Sequence, residues 1–182
     1  MMKFSIYPTF CLIILSLTFV FQSCQKDDPE HIHEHELITR VTLEVTPSGG
    51  STNSFTWNEG DNNLNVNLNS DTNYEVKVFF YNASDPSDIE NITEEIREEA
   101  DEHLVFYDFT TSANLQVNSS SNDITDSNQI PIGLTTTWTT STSESFNAKL
   151  YLIHMPDNKT ANSRSSIGGG TDVEIDLAIT VN

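Results

Sequence analysis

Residues 173–181, VEIDLAITV, have a large apolar side chain at every second position, with Glu, Asp, Ala and Thr between them. Successive side chains of an extended strand point to opposite faces, so the five large apolar residues of this stretch share one face. Such a period of two is typical of a strand that is buried on one side and solvated on the other. The stretch therefore predicts a half-buried strand at the end of the chain.

The same alternation recurs in eight other places, so the sequence predicts nine strands. Their predicted inward residues are Leu37, Thr39, Val41, Leu43 and Val45; Phe55 and Trp57; Leu64, Val66 and Leu68; Tyr74, Val76, Val78 and Phe80; Leu104 and Phe106; Leu115 and Val117; Leu134, Thr136 and Trp138; Phe146, Ala148, Leu150 and Leu152; and the final five. Antiparallel sheets with one apolar face must bury that face against another layer. We predict an all-β fold, an antiparallel β-sandwich of roughly immunoglobulin-like type.

One segment departs from this pattern, DPSDIENITEEIREEADEH at residues 85–103. Its isoleucines and Ala100 recur at spacings of three and four, and Ser87 with Glu90 has the spacing of a capping box. We predict one inserted amphipathic helix over about residues 86–103. Its acidic face is either simply solvated or a surface that attracts cations or a partner.

The N-terminus, MMKFSIYPTFCLIILSLTFVFQSC, has a basic residue, an apolar run shorter than a bilayer span, and a small residue before Cys24. This pattern resembles the lipobox of bacterial lipoproteins, in which the cysteine carries acyl chains such as palmitate. The acidic QKDD that follows Cys24 resembles the signal that exports Bacteroidota lipoproteins to the cell surface. The alternatives are an ordinary polar linker, or an outer-membrane lipoprotein that faces the periplasm. We predict an outer-membrane lipoprotein, with a signal peptide at 1–23, a lipidated acidic tether at 24–36 and a single β-sandwich domain at 37–182.

Charge and cysteine content exclude several functions. Loss of the signal peptide, which contains Lys3 and no acid, leaves seven basic and 27 acidic residues, a net charge of −20. Such a surface repels nucleic acid and concentrates cations. Cys24 would be the only cysteine of the mature chain, which excludes a disulfide and thiol catalysis. Hydrolase, zinc-protease and phosphate-loop motifs are missing, so we predict that the protein is not an enzyme.

The tether contains EHIHEHE, residues 30–36, with histidine at every second position. In an extended segment His31, His33 and His35 point to the same side, where they can close on one metal ion. Zn²⁺, Cu²⁺ and Ni²⁺ accept imidazole nitrogen, and Glu34 or Glu36 could complete the coordination. This favours a Zn or Cu site on the tether. The alternative is a solvated leash in which histidine has no special role.

Two further sets of candidate ligands lie in the domain. His103 and His154 are a pair of metal-ligand candidates, although the preferred interpretation is structural: His103 favours a helix C-terminus, and His154 lies at the rim of a strand where a loop carbonyl satisfies it. Asp123, Asp126 and Asn128 carry oxygen ligands suited to Ca²⁺. They do not have the EF-hand spacing, and ordinary turn hydrogen bonding is the preferred reading.

Four stretches, LITRVTLEVTP (37–47), ITEEIREEADEH (92–103), IPIGL (130–134) and HMPDNK (154–159), resemble small flavobacterial surface lipoproteins labelled as members of the type 1 periplasmic binding fold superfamily. That label implies a two-lobed α/β fold, whereas the strand pattern favours a sandwich. The resemblance also implies work beside a TonB-dependent outer-membrane receptor. The histidine positions that it maps onto this chain are His31, His33, His35, His103 and His154.

Three functions from different classes follow from these observations. The histidines favour a surface lipoprotein that captures a transition metal, or a metal complex, and passes it to a TonB-dependent receptor. The first alternative is a non-enzymatic surface module that binds glycan or protein through aromatic residues and loops. The second is a structural or adhesive surface protein without a small ligand.

Overall fold

The computed structural model describes residues 36–109 and 114–182. Cys24, Glu34 and the three histidines of the tether lie outside the described residues. Within the described part of the chain, no helix has the length and apolar content needed to cross a membrane.

Ten strands and two short helices follow one another along the described chain. Their bounds are β1 Arg40–Pro47, β2 Asn53–Asn58, β3 Leu64–Leu68, β4 Asn73–Asn82, β5 Glu90–Asn91, α1 Ile92–Glu98, β6 His103–Phe109, β7 Leu115–Ser119, β8 Thr135–Thr140, β9 Glu144–His154, α2 Arg164–Ile167 and β10 Gly170–Val181. Each of the nine predicted strands has a counterpart here, and β5 is the addition.

The strands form two sheets. Sheet A has the order β2-β1-β4-β8-β7, with β5 paired to β4, and sheet B has the order β3-β10-β9-β6. All pairs are antiparallel except β3 with β10, which is parallel. The all-β sandwich is thus confirmed, while the expectation of wholly antiparallel sheets is wrong at this one pair. The immunoglobulin-like type remains a prediction.

The apolar faces of the two sheets meet in one main core. The period of two holds over all of β3, over residues 74–80 of β4 and over residues 173–181 of β10, where every inward side chain is buried. Trp138 of β8 is fully buried and makes edge-to-face contacts with Tyr107 and Phe109 of β6, at 5.4 and 6.2 Å between ring centres. These contacts join sheet A to sheet B.

Two strand predictions chose the wrong residues. Leu37 is 57% exposed, while Ile38 is buried and β1 begins only at Arg40. In β6 the main core receives Val105 and Tyr107 rather than Leu104 and Phe106. Leu104 and Phe106 belong to a second, small cluster on the other face of sheet B, because the segment with α2 covers that face and buries Ile167 there. With both faces covered, alternation no longer distinguishes inside from outside.

The predicted helix exists but is much shorter than residues 86–103. It spans Ile92–Glu98, and its N-cap is Asn91, whose side chain accepts a hydrogen bond from the Thr93 N–H. The reason is that Glu90 and Asn91 pair with β4 as strand β5, which prevents the helix from starting earlier. Ser87 bonds to Asp85 instead of forming a capping box, and Ile89 is 46% exposed.

Candidate metal centre

Two histidines meet at the end of the sandwich where β6 begins and β9 ends. His103 and His154 are direct cross-strand partners, so their side chains leave the same face of sheet B. Their rings stack with 5.0 Å between centres and 7° between planes. The structure therefore brings together the two domain histidines that the sequence suggested as metal-ligand candidates.

A hydrogen bond fixes the orientation of His103. Its Nδ1 lies 3.1 Å from the main-chain carbonyl of Glu99, the C-cap residue of α1. A carbonyl can only accept, so Nδ1 carries the proton, and in the neutral ring Nε2 presents its lone pair. His103 does not close the helix as predicted, since it is the first residue of β6, but it does bond to the helix C-terminus. Metal-binding histidines are usually held by this kind of second hydrogen bond.

The Nε2 atom of His103 faces a carboxylate. Glu36 Oε1 lies 3.0 Å from it, and this short contact lacks the alignment of a hydrogen bond. The Glu36 side chain is only 8% exposed, and its second oxygen, Oε2, has no hydrogen-bond partner among the described residues. The sequence placed Glu36 in the tether; in the structure its carboxylate packs against the domain. A cation between Nε2 and Glu36 would satisfy both groups.

Asp172 supplies a second carboxylate. It sits at a register shift between β10 and β9, where Thr171 and Val173 pair with neighbouring residues of β9 and Asp172 is the extra residue. A bulge of this kind turns a side chain away from the face that simple alternation gives it. The Asp172 side chain is fully buried, and its Oδ1 lies 4.0 Å from His154 Nδ1. Sequence analysis missed Asp172 because nothing in GTDVEI indicates a bulge.

The chain reaches this bulge through a turn that requires glycine. Gly169 has φ +71°, and a Cβ added there would lie 2.5 Å from the main-chain oxygen of His154. Only a residue without a side chain fits such a position without strain. Because the turn lets the main chain before β10 lie close to His154, it also holds Asp172 near that histidine.

The donor set suits a transition metal. One ligand atom each from Glu36, His103 and Asp172 lies within 4.8 Å of the others. Zinc–ligand bonds of roughly 2.0–2.2 Å in a tetrahedron place ligand atoms about 3.4 Å apart, so small side-chain shifts bring this set to the required spacing. Imidazole with carboxylates favours zinc and its neighbours over calcium or magnesium, which prefer oxygen alone.

A second acidic set adjoins the first. Glu36, Glu95 and Glu99 also bring ligand atoms within 4.8 Å of one another, and Glu102 Oε2 lies 3.6 Å from His154 Nε2. Burial raises the pKa of Glu95, and the negative charges of Glu36, Glu99 and Glu90 raise it further. The positions of Glu36, Glu95, Glu99 and Glu102 concentrate negative charge at this end of the domain.

The oxygen-rich loop predicted as a calcium candidate uses its carboxylates internally. Asp123 accepts hydrogen bonds from the N–H groups of Gly133 and Thr135, and Asp126 accepts from those of Asn128 and Ile130. Both carboxylates thus stabilise the turns of their own loop by hydrogen bonds to the main chain, which is the interpretation that the sequence favoured. Calcium binding by Asp123, Asp126 and Asn128 remains a prediction without further support.

The titration of His103 makes the stability of the metal-free domain depend on pH. Burial alone would lower its pKa, but the carboxylate of Glu36, the Glu99 carbonyl and Asp172 together raise the pKa above the usual 6.5. A raised histidine pKa contributes stability that is complete below about pH 6.5, the unfolded value, and is lost as the pH rises through the folded value.

We therefore expect the free energy of unfolding, measured with chelator by urea titration, to fall as the pH rises above 6.5 in the wild-type protein. His103→Gln should flatten this part of the profile, since glutamine does not titrate. An equal pH slope in both proteins would show that His103 is not the group responsible.

Comparison of the chain with protein-family models, with curated proteins and with solved structures gave no match. The fold and the site thus define the class of the described domain without a relative: a β-sandwich with a buried histidine–carboxylate cluster at one end.

Proposed function

We propose that this protein is a non-enzymatic outer-membrane surface lipoprotein that captures a transition metal, Zn or Cu, and hands it to a TonB-dependent receptor. One observation carries the proposal. The proton of a buried histidine, His103, is committed to a backbone carbonyl, while its Nε2 faces the buried carboxylate of Glu36 beside that of Asp172. These two carboxylates and one imidazole can together bind a divalent cation.

The position of Glu36 in the chain supports capture. It directly follows the histidine-rich segment that ends at His35. The tether histidines are therefore only one to five residues away from Glu36 along the chain. An extended chain spans at most about 3.5 Å per residue, so an ion bound by these histidines would have a short path to the domain site. The segment collects the ion, and the domain holds it.

Anchoring and delivery rest on the N-terminal pattern. Acyl chains on Cys24 would hold the protein in the outer membrane, since more than one chain gives stable binding. The net charge of −20 expected for the mature chain raises the local concentration of cations at the cell surface. Delivery to a TonB-dependent receptor remains an inference from the lipoprotein resemblance. Deletion of such a receptor should leave metal bound to the lipoprotein but block its uptake.

The proposal is tested by titrating Zn²⁺ and Cu²⁺ into the full-length protein, purified in detergent, by calorimetry. We expect His103→Gln to lower the affinity of the domain site by at least about 100-fold, because losing a direct ligand exceeds the 10–100-fold effect of an outer-shell residue. Replacement of all three tether histidines by glutamine should remove only the weaker component. Binding to the domain should release protons at a pH where His103 is cationic, because the metal then displaces the proton on Nε2, while Nδ1 keeps the proton that it donates to Glu99.

The two sets of variants give opposite outcomes if the assignment is wrong. Full binding by His103→Gln, with loss of all binding in the tether variant, would place the metal on the tether alone. Failure of the wild-type protein to bind either ion more tightly than an acidic peptide of equal histidine content would end the capture proposal. Melting curves of the metal-free proteins serve as the control for folding.

A second candidate function, glycan binding, is favoured by one feature of sheet A. An open groove of about 520 Å³ on its outer face is lined by Tyr81, Arg40, Thr42, Thr56, Asn58 and Ile89. An aromatic ring beside hydrogen-bonding groups suits a sugar. Neither tryptophan lines this groove, because Trp138 lies in the main core and Trp57 packs against that core. Retained glycan binding by a His103→Gln variant, with loss on Tyr81→Ala, would favour this function.

A further inference from the structure

We propose that the centre is dinuclear: Glu36 bridges the ion held by His103 and Asp172 to a second divalent cation held by Glu95 and Glu99. This proposal rests on the proposed function and deepens it, because it assigns a second metal to the same end of the domain. The second ion has an all-carboxylate environment, which favours a cation that prefers oxygen ligands, such as Mn²⁺. Zn²⁺ also accepts carboxylate oxygen and can occupy such a site.

The bridging role follows from the two oxygens of Glu36. Oε1 lies against His103 Nε2 at 3.0 Å, while Oε2 is buried and has no hydrogen-bond partner in the described part of the chain. A buried carboxylate oxygen left without a partner is costly in a folded protein. The same residue belongs to both ligand sets, one with His103 and Asp172 and the other with Glu95 and Glu99. A bridging carboxylate gives each oxygen its own ion.

The geometry of α1 brings the second pair of ligands to Glu36. Glu95 and Glu99 are four residues apart, so they lie one above the other on the same side of the helix. On the adjoining side of the helix Ile92 and Ile96 are held in the core, which fixes the rotation of α1. Glu99 also anchors His103 through its carbonyl. Glu99 thus contacts both parts of the centre: its carbonyl orients His103, and its carboxylate belongs to the second ligand set.

Charge supports the same conclusion. Glu36, Glu95 and Glu99 converge, and the basic side chain in contact with them among the described residues is His103, which the first ion would bind. Like charges four residues apart on a helix repel each other. With one divalent ion bound at His103, the carboxylate of Glu36 would still lie beside those of Asp172, Glu95 and Glu99. The two positive charges of that ion would not balance the four negative charges. A second divalent cation compensates this excess.

The experiment measures the number of ions bound. The full-length protein carrying the three tether replacements (His31→Gln, His33→Gln, His35→Gln) is purified in detergent, equilibrated with Zn²⁺, and its metal content determined by elemental analysis. We expect two zinc ions per chain. Glu95→Gln combined with Glu99→Gln should leave one, and Glu36→Gln should leave none bound tightly.

A matched control comes from the same helix. Glu94→Gln combined with Glu98→Gln also removes two negative charges from α1, at positions that are exposed like Glu95 but belong to neither ligand set, and should leave two ions. With Mn²⁺ in place of Zn²⁺, electron paramagnetic resonance of the parent should show a coupled pair of ions. The Glu95/Glu99 variant should show the spectrum of an isolated ion.

The outcomes separate this inference from the proposed function. One zinc ion in the parent and one in the Glu95/Glu99 variant would overturn the dinuclear centre while leaving metal capture intact. Two ions in the parent without magnetic coupling would overturn the bridge. Absence of domain-bound metal in the parent would overturn the dinuclear centre together with the domain site, and metal capture would then depend on the tether histidines alone.

Discussion

Replacing Trp138 with alanine is expected to destabilise the protein by about 3–5 kcal/mol, as found when large buried aromatic residues are truncated. Trp138 is fully buried, its indole nitrogen donates a hydrogen bond to Thr136 at 3.0 Å, and its ring meets Tyr107 and Phe109 across the sandwich. Truncation opens a cavity between the sheets and leaves the Thr136 hydroxyl without its partner. Urea denaturation monitored by circular dichroism measures the change.

Trp57 provides the comparison for this prediction. It is only half-buried, on the edge strand β2, and its ring nitrogen bonds to the carbonyl of Asp61 near the surface. Trp57→Ala should therefore cost roughly half as much, since only part of the side chain leaves water on folding. Equal losses for the two tryptophans would show that Trp138 does not have the central packing role assigned to it.

Replacing Lys159 with methionine is expected to cost about 3 kcal/mol, because it breaks a buried ion pair and leaves one charge without its counterpart. The Lys159 side chain is 7% exposed; its Nζ donates to the carbonyl of Ala100 and lies 3.2 Å from Asp126 Oδ2. Although burial alone would raise the pKa of Asp126, the Ile130 N–H and Lys159 bring that pKa below its usual value. The ion pair connects the segment after β9 to the loop before β8 and to the end of α1.

An exposed lysine supplies the matched control. Lys149 contacts Glu174 and Asp176 on the surface of sheet B and is 37% exposed. Exposed ion pairs contribute at most about 1 kcal/mol, so Lys149→Met should change the free energy of unfolding far less. A double-mutant cycle of Lys159→Met with Asp126→Asn measures the coupling directly. Coupling near zero would contradict the buried pair.

The fold was predictable from sequence wherever one face of a strand is solvated. The inward residues of β3, β4 and β10 follow directly from alternation. So do Trp138 in β8 and Leu134 just before that strand. Prediction failed in β6, where both faces are covered, and at the start of α1, where pairing of β5 with β4 overrides a local capping signal. Both errors arise from tertiary contacts that local patterns do not encode.

The site was only partly predictable for the same reason. Sequence indicated His103, His154 and Glu36 as candidate ligands, because histidine and glutamate are chemically conspicuous. It could not indicate that His103 and His154 are cross-strand partners, since their pairing depends on the register of β6 against β9. Asp172 could not be found at all, because a bulge brings it inward. Glu95 and Glu99 were noted only as part of an acidic face.

The most direct test of the account is a crystal structure of the protein grown with Zn²⁺, with anomalous scattering recorded at the zinc absorption edge. The account predicts an anomalous peak at roughly 2.0–2.2 Å from His103 Nε2 and from carboxylate oxygens of Glu36 and Asp172. A structure in which zinc is bound only at surface acids, while His103 Nε2 donates a well-aligned hydrogen bond to Glu36, would contradict it. The cluster would then be an ion pair that fastens residue 36 to the domain.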